Sequence, residues 1–327
     1  MRGSNINIPW RLCFSILVLV IGGYLYRDIE VDLIGDDQIL SRAKFFLDKA
    51  SLDAEARKIV VVGGSTAMMG ILPEEIESKT GLFTINAALS NQLYSHIHIN
   101  TFDYADALVR RGDVILYQSP ALIGDNQDLP VDALHDRRAI FYRKSLGLES
   151  GFSKADGGGG WSLFFLIPTQ PLVKTAWNYV KDGKADFLPK KVKGNPAEIV
   201  RCDEATKKVF PAKYRQKMSS SYFHALKEFD RKMYEKGVSV YYVFPTYYVR
   251  PGDLPLWEKT LAESKSVLQG FYGKYIDIAS DNLFRNDPAL FCDARHATIS
   301  LASFQTAFIS SSLHGPGISE SAAIVKH

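Results

Sequence analysis

The sequence lacks the features that mark several common classes of binding protein. The net charge of the 327-residue chain is only +3, which is too small to indicate nucleic acid as a partner. Neither G-x-G-x-x-G nor G-x-x-x-x-G-K-S/T occurs, so the two common glycine-rich phosphate-binding loops are excluded. Internal repeats and heptad runs are also absent, which excludes a solenoid or a coiled coil. We expect no cofactor and no metal.

Cysteine is scarce, with three residues in the chain. Cys13 lies in an apolar run near the N-terminus, whereas Cys202 and Cys292 belong to the remainder of the sequence. In an oxidising compartment Cys202 and Cys292 could form a disulfide. Two separate buried thiols are the alternative, because the sequence does not give their distance in space.

An uncharged run, residues 12–26, indicates a membrane segment. Its length is near the lower limit for a span, and Trp10 suits a membrane interface. Arg2 and Arg11 precede the run, while acidic residues dominate 28–37, so the positive-inside rule places the N-terminus in the cytoplasm and the rest outside. A cleaved signal peptide is the alternative. Because no A-x-A-like site follows, we predict an uncleaved single-pass anchor in the cytoplasmic membrane.

The chain is predicted to have three parts: a cytoplasmic tail and anchor (1–27), a stalk (28–57) and an α/β domain (58–327). In the domain, runs rich in β-branched residues alternate with helix-compatible segments. The predicted strands are 58–65, 82–90, 113–120, 238–245 and 275–280, and the predicted helices are 72–81, 94–112, 221–237, 254–273 and 297–313. This alternation predicts a doubly wound parallel sheet, whose functional residues lie at the carboxyl ends of the strands.

The regular pattern is interrupted by a predicted insertion at about 121–218. It contains four consecutive glycines at 157–160 and an aromatic-rich stretch at 161–180. Two prolines and a lysine in that stretch favour a cap over the domain rather than a second membrane span. If the stretch lined an apolar cleft facing the membrane, it would instead indicate a hydrolase that acts on lipids.

Ser65 follows the first predicted strand in the segment KIVVVGGSTAMMGI, residues 58–71. A serine hydroxyl is a weak nucleophile and needs a base within hydrogen-bond reach, which is itself oriented by an acid. Asp293 and His296 lie three residues apart, just before the last predicted helix. This spacing lets the carboxylate hold one imidazole nitrogen while the other faces the serine. A merely structural turn at the two glycines is the alternative.

These segments resemble the sequence blocks of the SGNH (GDSL-type) hydrolase superfamily. VVVGGSTAMMGI resembles the first block, INAALSNQ the second, GDVILYQSP the third, and DARHATISLAS the last. The resemblance implies a flavodoxin-like sheet and a triad of Ser65 as nucleophile, His296 as base and Asp293 as acid. The blocks are scattered over residues 58–313, and the predicted insertion matches none of them.

The sequence departs from the family pattern at the oxyanion hole, the group of donors that stabilises the negative oxygen of the intermediate. Gly64 replaces the usual Asp, Asn91 falls near the second-block glycine, and Ala121 falls where the third block has its asparagine. The resemblance leaves Gly64, Asn91 and Gln118 as candidate donors, beside the backbone N–H of Ser65; Asn126 is a further possible replacement. Loss of one donor typically lowers the rate by about 10²–10³.

The resemblance extends to membrane-anchored members that modify polysaccharides outside the cytoplasm. It implies a serine esterase or O-acyltransferase, acting on acyl and especially acetyl esters of a cell-surface or secreted polysaccharide. The domain would be extracytoplasmic, and periplasmic in a Gram-negative cell. The implied partners are an acylated glycan, the membrane, and other proteins of envelope polysaccharide assembly. A non-catalytic glycan-binding or scaffolding protein is the alternative. Tyr247, Tyr248 and Arg250 could line a sugar-binding cleft or simply pack.

Overall fold

A computed structural model describes residues 37–52, 56–89, 96–119, 122, 146–148, 199, 220–244, 246–280, 287–293 and 295–313. The predicted anchor and nearly all of the predicted insertion lie outside these residues. The chain divides into two units, residues 1–37 with 155–193 and residues 38–154 with 194–327. Apart from Asp37, every described residue belongs to the second unit. Among the described residues, no helix has both the length and the apolar composition needed to cross a bilayer.

Five parallel strands form one sheet in the order β2-β1-β3-β4-β5. The strands are β1 (Lys58–Gly63), β2 (Phe83–Asn86), β3 (Val114–Gln118), β4 (Ser239–Val243) and β5 (Lys274–Ile276). This order is the flavodoxin order, in which the chain switches direction across the sheet at β1 and β3. The predicted doubly wound parallel sheet is therefore confirmed. A crevice is expected at the carboxyl ends of β1 and β3.

Helices cover both faces of the sheet. They are α1 (Asp37–Leu52), α2 (Ser65–Gly70), α3 (Pro73–Thr80), α4 (His96–Leu108), α5 (Ser220–Lys236), α6 (Leu254–Leu268) and α7 (Ile299–Leu313), with 3₁₀ turns at Pro251–Asp253 and Pro288–Leu290. On one face the sheet packs in an apolar cluster with residues of α2, α3 and α7. On the other face it packs with α1, α4, α5 and α6.

The β1 sequence explains how a strand can have apolar helices on both sides. Ile59 and Val61 join the cluster with α2, α3 and α7, whereas Val60 and Val62 join the opposite cluster. All four side chains are completely buried. Successive residues of a strand point to opposite faces, so a strand covered on both faces needs this unbroken β-branched run.

Every predicted strand extends past the end of the observed strand, by two residues for β1, β3 and β4 and by four for β2 and β5. β2 ends at Asn86 rather than at residue 90, because the Asn86 side chain accepts the backbone N–H of Ala88 and turns the chain. β5 ends at Ile276 rather than at residue 280, and the Asp277 carboxylate accepts the backbone N–H of Ser280 in the turn that follows. In both turns a short polar side chain accepts a backbone N–H group two or three residues further along the chain.

Part of the predicted stalk belongs to the domain. Within 28–57, helix α1 buries Ala43 and Phe46 in the cluster below β1 and β3. The buried Arg42 guanidinium donates to the carbonyl oxygens of Asn86, at 2.8 Å, and of Ala88, at 2.9 Å. These carbonyls continue edge strand β2, so α1 covers an edge that would otherwise be open to pairing.

Candidate active site

Ser65 begins α2 immediately after two glycines at the end of β1. Gly63 has φ of +138°, a backbone conformation that L side chains rarely adopt, and a β-carbon there would lie 1.8 Å from the Gln118 carbonyl oxygen. The close approach of β1 and β3 therefore requires glycine at position 63. As the first residue of a helix, Ser65 has a backbone N–H without an acceptor inside the helix. Its side chain is half-buried, at the carboxyl edge of the sheet.

The structure brings Ser65, His296 and Asp293 together. The Nε2 atom of His296 lies 2.8 Å from Ser65 Oγ, and its Nδ1 atom lies 2.6 Å from Asp293 Oδ2. The three side chains thus form one hydrogen-bonded chain in the order that a base needs between a nucleophile and an orienting acid. When Asp293 accepts a hydrogen bond from Nδ1–H, Nε2 is left as an acceptor for the serine hydroxyl.

Both oxygens of the Asp293 carboxylate accept hydrogen bonds within the turn that contains it. Oδ2 is bonded to the His296 imidazole, and Oδ1 accepts the backbone N–H groups of Arg295, at 2.8 Å, and of His296, at 3.0 Å. Partial burial raises the pKa of Asp293, but the hydrogen bonds from His296 and Arg295 outweigh it and lower the pKa to about 2. The acid is therefore ionised at neutral pH, as an orienting group for imidazole must be.

Of the three candidate oxyanion donors, Gly64 is already engaged in another hydrogen bond, Asn91 lies outside the described residues, and Gln118 remains. Gly64 can donate only through its backbone N–H, and that group donates to the Gln118 carbonyl at 3.2 Å. This corrects the expectation for Gly64, because its N–H is occupied in holding β1 against β3. Asn91 lies outside the described residues, as do Ala121 and Asn126.

Gln118 remains as a side-chain candidate. It pairs in register with Gly63, two residues before Ser65. Val114 and Leu116 belong to the cluster with α2 and α7, so the alternation of β3 points Gln118 toward that face. The side chain is 1% exposed, and its Oε1 atom has no hydrogen-bond partner among the described residues. A buried amide is costly unless it is hydrogen-bonded, and Oε1 can only accept, so this side chain could serve an oxyanion only through its Nε2 donors.

Asn86, which the sequence reasoning did not single out as a functional residue, supports the serine helix. Its Nδ2 atom is within hydrogen-bond distance of three carbonyl oxygens near the end of α2, those of Ala67 (3.1 Å), Met68 (3.2 Å) and Ile71 (2.9 Å). The last carbonyls of a helix have no partner inside it, so this buried amide replaces the missing bonds. In the sequence, the one indication of this role is the position of Asn86 at the end of a strand that neighbours the serine strand.

Helix α7 is also tied to the serine side of the domain. The Thr306 hydroxyl accepts the backbone N–H of Leu72 at 3.0 Å, and the Ser303 hydroxyl donates to Glu75 at the start of α3. Because His296 lies three residues before α7, these bonds fix the base relative to the segment that follows Ser65.

The predicted sugar-binding residues after β4 are not equally accessible. Tyr247 is completely buried, and its ring packs near Trp257 at a centroid distance of 5.8 Å. Tyr248 is half-buried beside the Phe291 ring, and Arg250 is exposed. Tyr247 therefore packs in the core, which leaves Tyr248 and Arg250 as the residues of this set that could reach a ligand.

Cys292 directly precedes Asp293 and is disulfide-bonded. The interpretation of two separate thiols is therefore wrong for this residue. The other two cysteines, Cys13 and Cys202, lie outside the described residues. Within the described part of the chain, no three His, Cys, Asp or Glu side chains are grouped as metal ligands would be.

Comparison with known proteins adds little to this geometry. No protein-family model matches the chain, and no curated protein matches it. One solved structure, described as that of a protein of the G-D-S-L lipolytic family from Desulfitobacterium hafniense DCB-2, is 10% identical with a TM-score of 0.38. The match covers 78% of this chain and 98% of that one.

Proposed function

We propose that this protein is a serine esterase or O-acyltransferase of the SGNH type. The observation that supports this is the hydrogen-bonded chain from Ser65 Oγ through the His296 ring to the Asp293 carboxylate. These side chains come from the two ends of the domain and meet at the carboxyl edge of a parallel sheet, where sites of such folds are found. A packing role alone would not need a half-exposed serine bonded to an imidazole.

In the proposed reaction, Ser65 Oγ attacks the carbonyl carbon of an ester while His296 Nε2 takes the hydroxyl proton. The negative charge that develops on the carbonyl oxygen is stabilised by the backbone N–H of Ser65 and by the Gln118 amide. Collapse of the intermediate breaks the bond to the alcohol oxygen, which receives the proton from His296. The acyl-enzyme is then attacked by water, giving hydrolysis, or by a sugar hydroxyl, giving transfer.

The proposed substrate is an acetyl or other acyl ester of a cell-surface or secreted polysaccharide, and the proposed location is outside the cytoplasmic membrane. The disulfide at Cys292 supports an oxidising compartment. The uncharged run at 12–26 supports a single-pass anchor that would hold the domain there. The exposed Arg250 and half-buried Tyr248 beyond β4 offer polar and aromatic contacts of the kind that sugars use.

The test is to label the purified full-length chain with a fluorophosphonate and to read the adduct by intact mass. A single adduct is expected on the wild type and none on Ser65→Ala. The matched control is Ser78→Ala, which changes an exposed serine of α3 and should keep the adduct. Absence of an adduct on folded wild-type protein would overturn the proposal.

A non-catalytic glycan-binding or scaffolding role is the second candidate, and the occupied N–H of Gly64 favours it. With that donor engaged by Gln118, the described residues offer fewer oxyanion donors than a full site would have. This candidate predicts polysaccharide binding that survives Ser65→Ala, together with no acyl-enzyme in the wild type. Labelling and binding measurements on the same two proteins separate the candidates.

A further inference from the structure

The turn that contains Asp293 and His296 is closed by backbone bonds at its base. Phe291 and Ala297 form an isolated antiparallel bridge, and the backbone N–H of Cys292 donates to the His296 carbonyl at 2.8 Å. Phe291 is completely buried in a small cluster with residues of α7. The base of the turn is thus anchored, while its tip, with the carboxylate, extends from that anchor.

The carboxylate itself has little packing to hold it. The Asp293 side chain is 58% exposed, against 24% for the His296 side chain. Among the described residues, its hydrogen bonds come from Arg295 and His296, both members of the same turn. The direction of the carboxylate relative to Ser65 therefore depends on the rigidity of the turn rather than on a surrounding wall.

Cys292 is the residue before Asp293, and its disulfide ties this turn to a second part of the chain. A disulfide fixes the distance between two α-carbons within narrow limits. We propose that the Cys292 disulfide is a positioning element of the active site, which holds Asp293 so that His296 faces Ser65. This inference rests on the proposed function, because it assigns the disulfide a part in the same reaction.

The sequence leaves two possible partners for Cys292. Cys202 lies in the predicted insertion, and Cys13 lies in the run predicted to enter the membrane. A sulfur within a bilayer could not reach a turn at the sheet edge, so we expect Cys202. Peptide mapping of the full-length chain, with and without reduction, identifies the linked pair. The cysteine that is not linked to Cys292 then serves as the control in the rate measurements.

The test compares the acylation rates of Cys292→Ser and of the partner variant, Cys202→Ser if mapping confirms it, with wild type. Both changes break the same bond, but the second leaves the turn sequence intact. We expect each to lower the fluorophosphonate acylation rate by about 10- to 100-fold, since a displacement of about 1 Å can cost about 10²-fold. The remaining cysteine, replaced by serine, should leave the rate unchanged.

A double-substitution cycle shows whether the disulfide acts through the acid. In an Asp293→Asn background, Cys292→Ser should lower the rate little further, because the group that it positions has already been removed. A general loss of stability would lower the rate by the same factor in both backgrounds. Equal factors, or a wild-type rate in Cys292→Ser, would overturn the proposal, as would mapping that finds Cys292 as a free thiol.

A second readout does not need activity. The proton shared between His296 Nδ1 and Asp293 should give a low-field resonance in the NMR spectrum of the full-length chain, assigned by its loss in Asp293→Asn. We expect it to weaken or disappear in Cys292→Ser and in the partner variant, while the melting transition remains cooperative. If the wild type shows this resonance but no fluorophosphonate adduct, the proposed function fails. The effect of the cysteine variants on the resonance then decides the positioning role by itself. A resonance unchanged by both cysteine variants would overturn the positioning role alone.

Discussion

His296 Nε2 lies 2.8 Å from Ser65 Oγ, although the two residues are 231 positions apart in the chain. The parallel sheet brings them together, since Ser65 follows β1 and His296 precedes the helix that packs beside the serine helix.

The first prediction concerns this contact and the Asp293 carboxylate that is bonded to the other side of the imidazole. His296→Ala should abolish acylation by a fluorophosphonate, and Asp293→Asn should slow it by about 10⁴-fold, because an amide cannot hold the imidazole in the same tautomer.

The controls for this prediction are His224→Ala and Asp48→Asn, which change exposed residues of α5 and α1. Both should acylate at the wild-type rate. If His296→Ala reacted as fast as wild type, Ser65 would be activated by another group and the triad assignment would be wrong.

The second prediction concerns Gln118 as an oxyanion donor. Gln118→Met keeps the length of the side chain but removes its N–H donors, so kcat for ester cleavage should fall by about 10²–10³ with KM little changed. Because Oε1 is buried without a partner in the described residues, the loss of this acceptor should not lower the melting temperature. Steady-state kinetics on a chromogenic acetyl ester, with a thermal melt of each protein, gives both numbers. A large fall in melting temperature with unchanged kcat would assign Gln118 to structure instead.

The third prediction concerns Gly63. In Gly63→Ala the new β-carbon would meet the Gln118 carbonyl oxygen at 1.8 Å, so β1 and β3 must separate at the point where Ser65 begins. The free energy of unfolding should fall by more than about 1 kcal/mol, as expected when alanine is placed at positive φ. Gly252→Ala is the matched control, since a β-carbon there meets nothing within 4 Å. Urea denaturation of both variants makes the comparison, and equal stability would show that the strand end tolerates a side chain.

The sequence was sufficient to place Ser65 and His296 at one edge because the β1 run Ile59–Val62 is unambiguous and parallel strands end on the same side. It could not reveal the role of Asn86, since the three carbonyls that Asn86 contacts come together only when α2 folds back onto β2. Nor could it separate Tyr247 from Tyr248: adjacent aromatic residues give no indication of which one is buried. The sequence predicts a stalk where the structure has helix α1, because few residues of this helix are buried and the others are mostly polar.

The fourth prediction concerns the buried ion pair at the opposite edge of the sheet. Lys58 Nζ lies 2.8 Å from Asp113 Oδ2, and the two side chains are 3% and 0% exposed. Asp113→Ala leaves the lysine charge buried without its partner, so the free energy of unfolding should fall by about 3–5 kcal/mol. Because the pair is at the amino ends of β1 and β3, the protein that remains folded should acylate at the wild-type rate.

Asp106→Ala is the control for this fourth prediction. Asp106 pairs with Lys232 at 2.7 Å and with Lys236 at 2.8 Å, in an environment partly open to water. Its loss should cost no more than about 1 kcal/mol. Urea denaturation of both variants measures the two costs, and similar costs would contradict the assignment of Asp113 as a buried, structure-determining charge.

The fifth prediction concerns the acid dependence of the Asp293 turn. Its hydrogen bonds hold the folded-state pKa at about 2, below the ordinary value of 3.8, so the folded chain binds fewer protons than the unfolded chain between these values. The stabilisation by the carboxylate is therefore fully present above about pH 4 and is lost as the pH falls toward 2. The difference in free energy of unfolding between wild type and Asp293→Asn should shrink as the pH falls from 4 toward 2. Urea denaturation across this range gives the difference, and Asp48→Asn reports the effect of removing one exposed carboxylate from the overall charge. A difference that grew as the pH fell from 4 to 2 would mean that the folded protein favours the protonated acid, which is incompatible with Asp293 orienting the imidazole as a carboxylate.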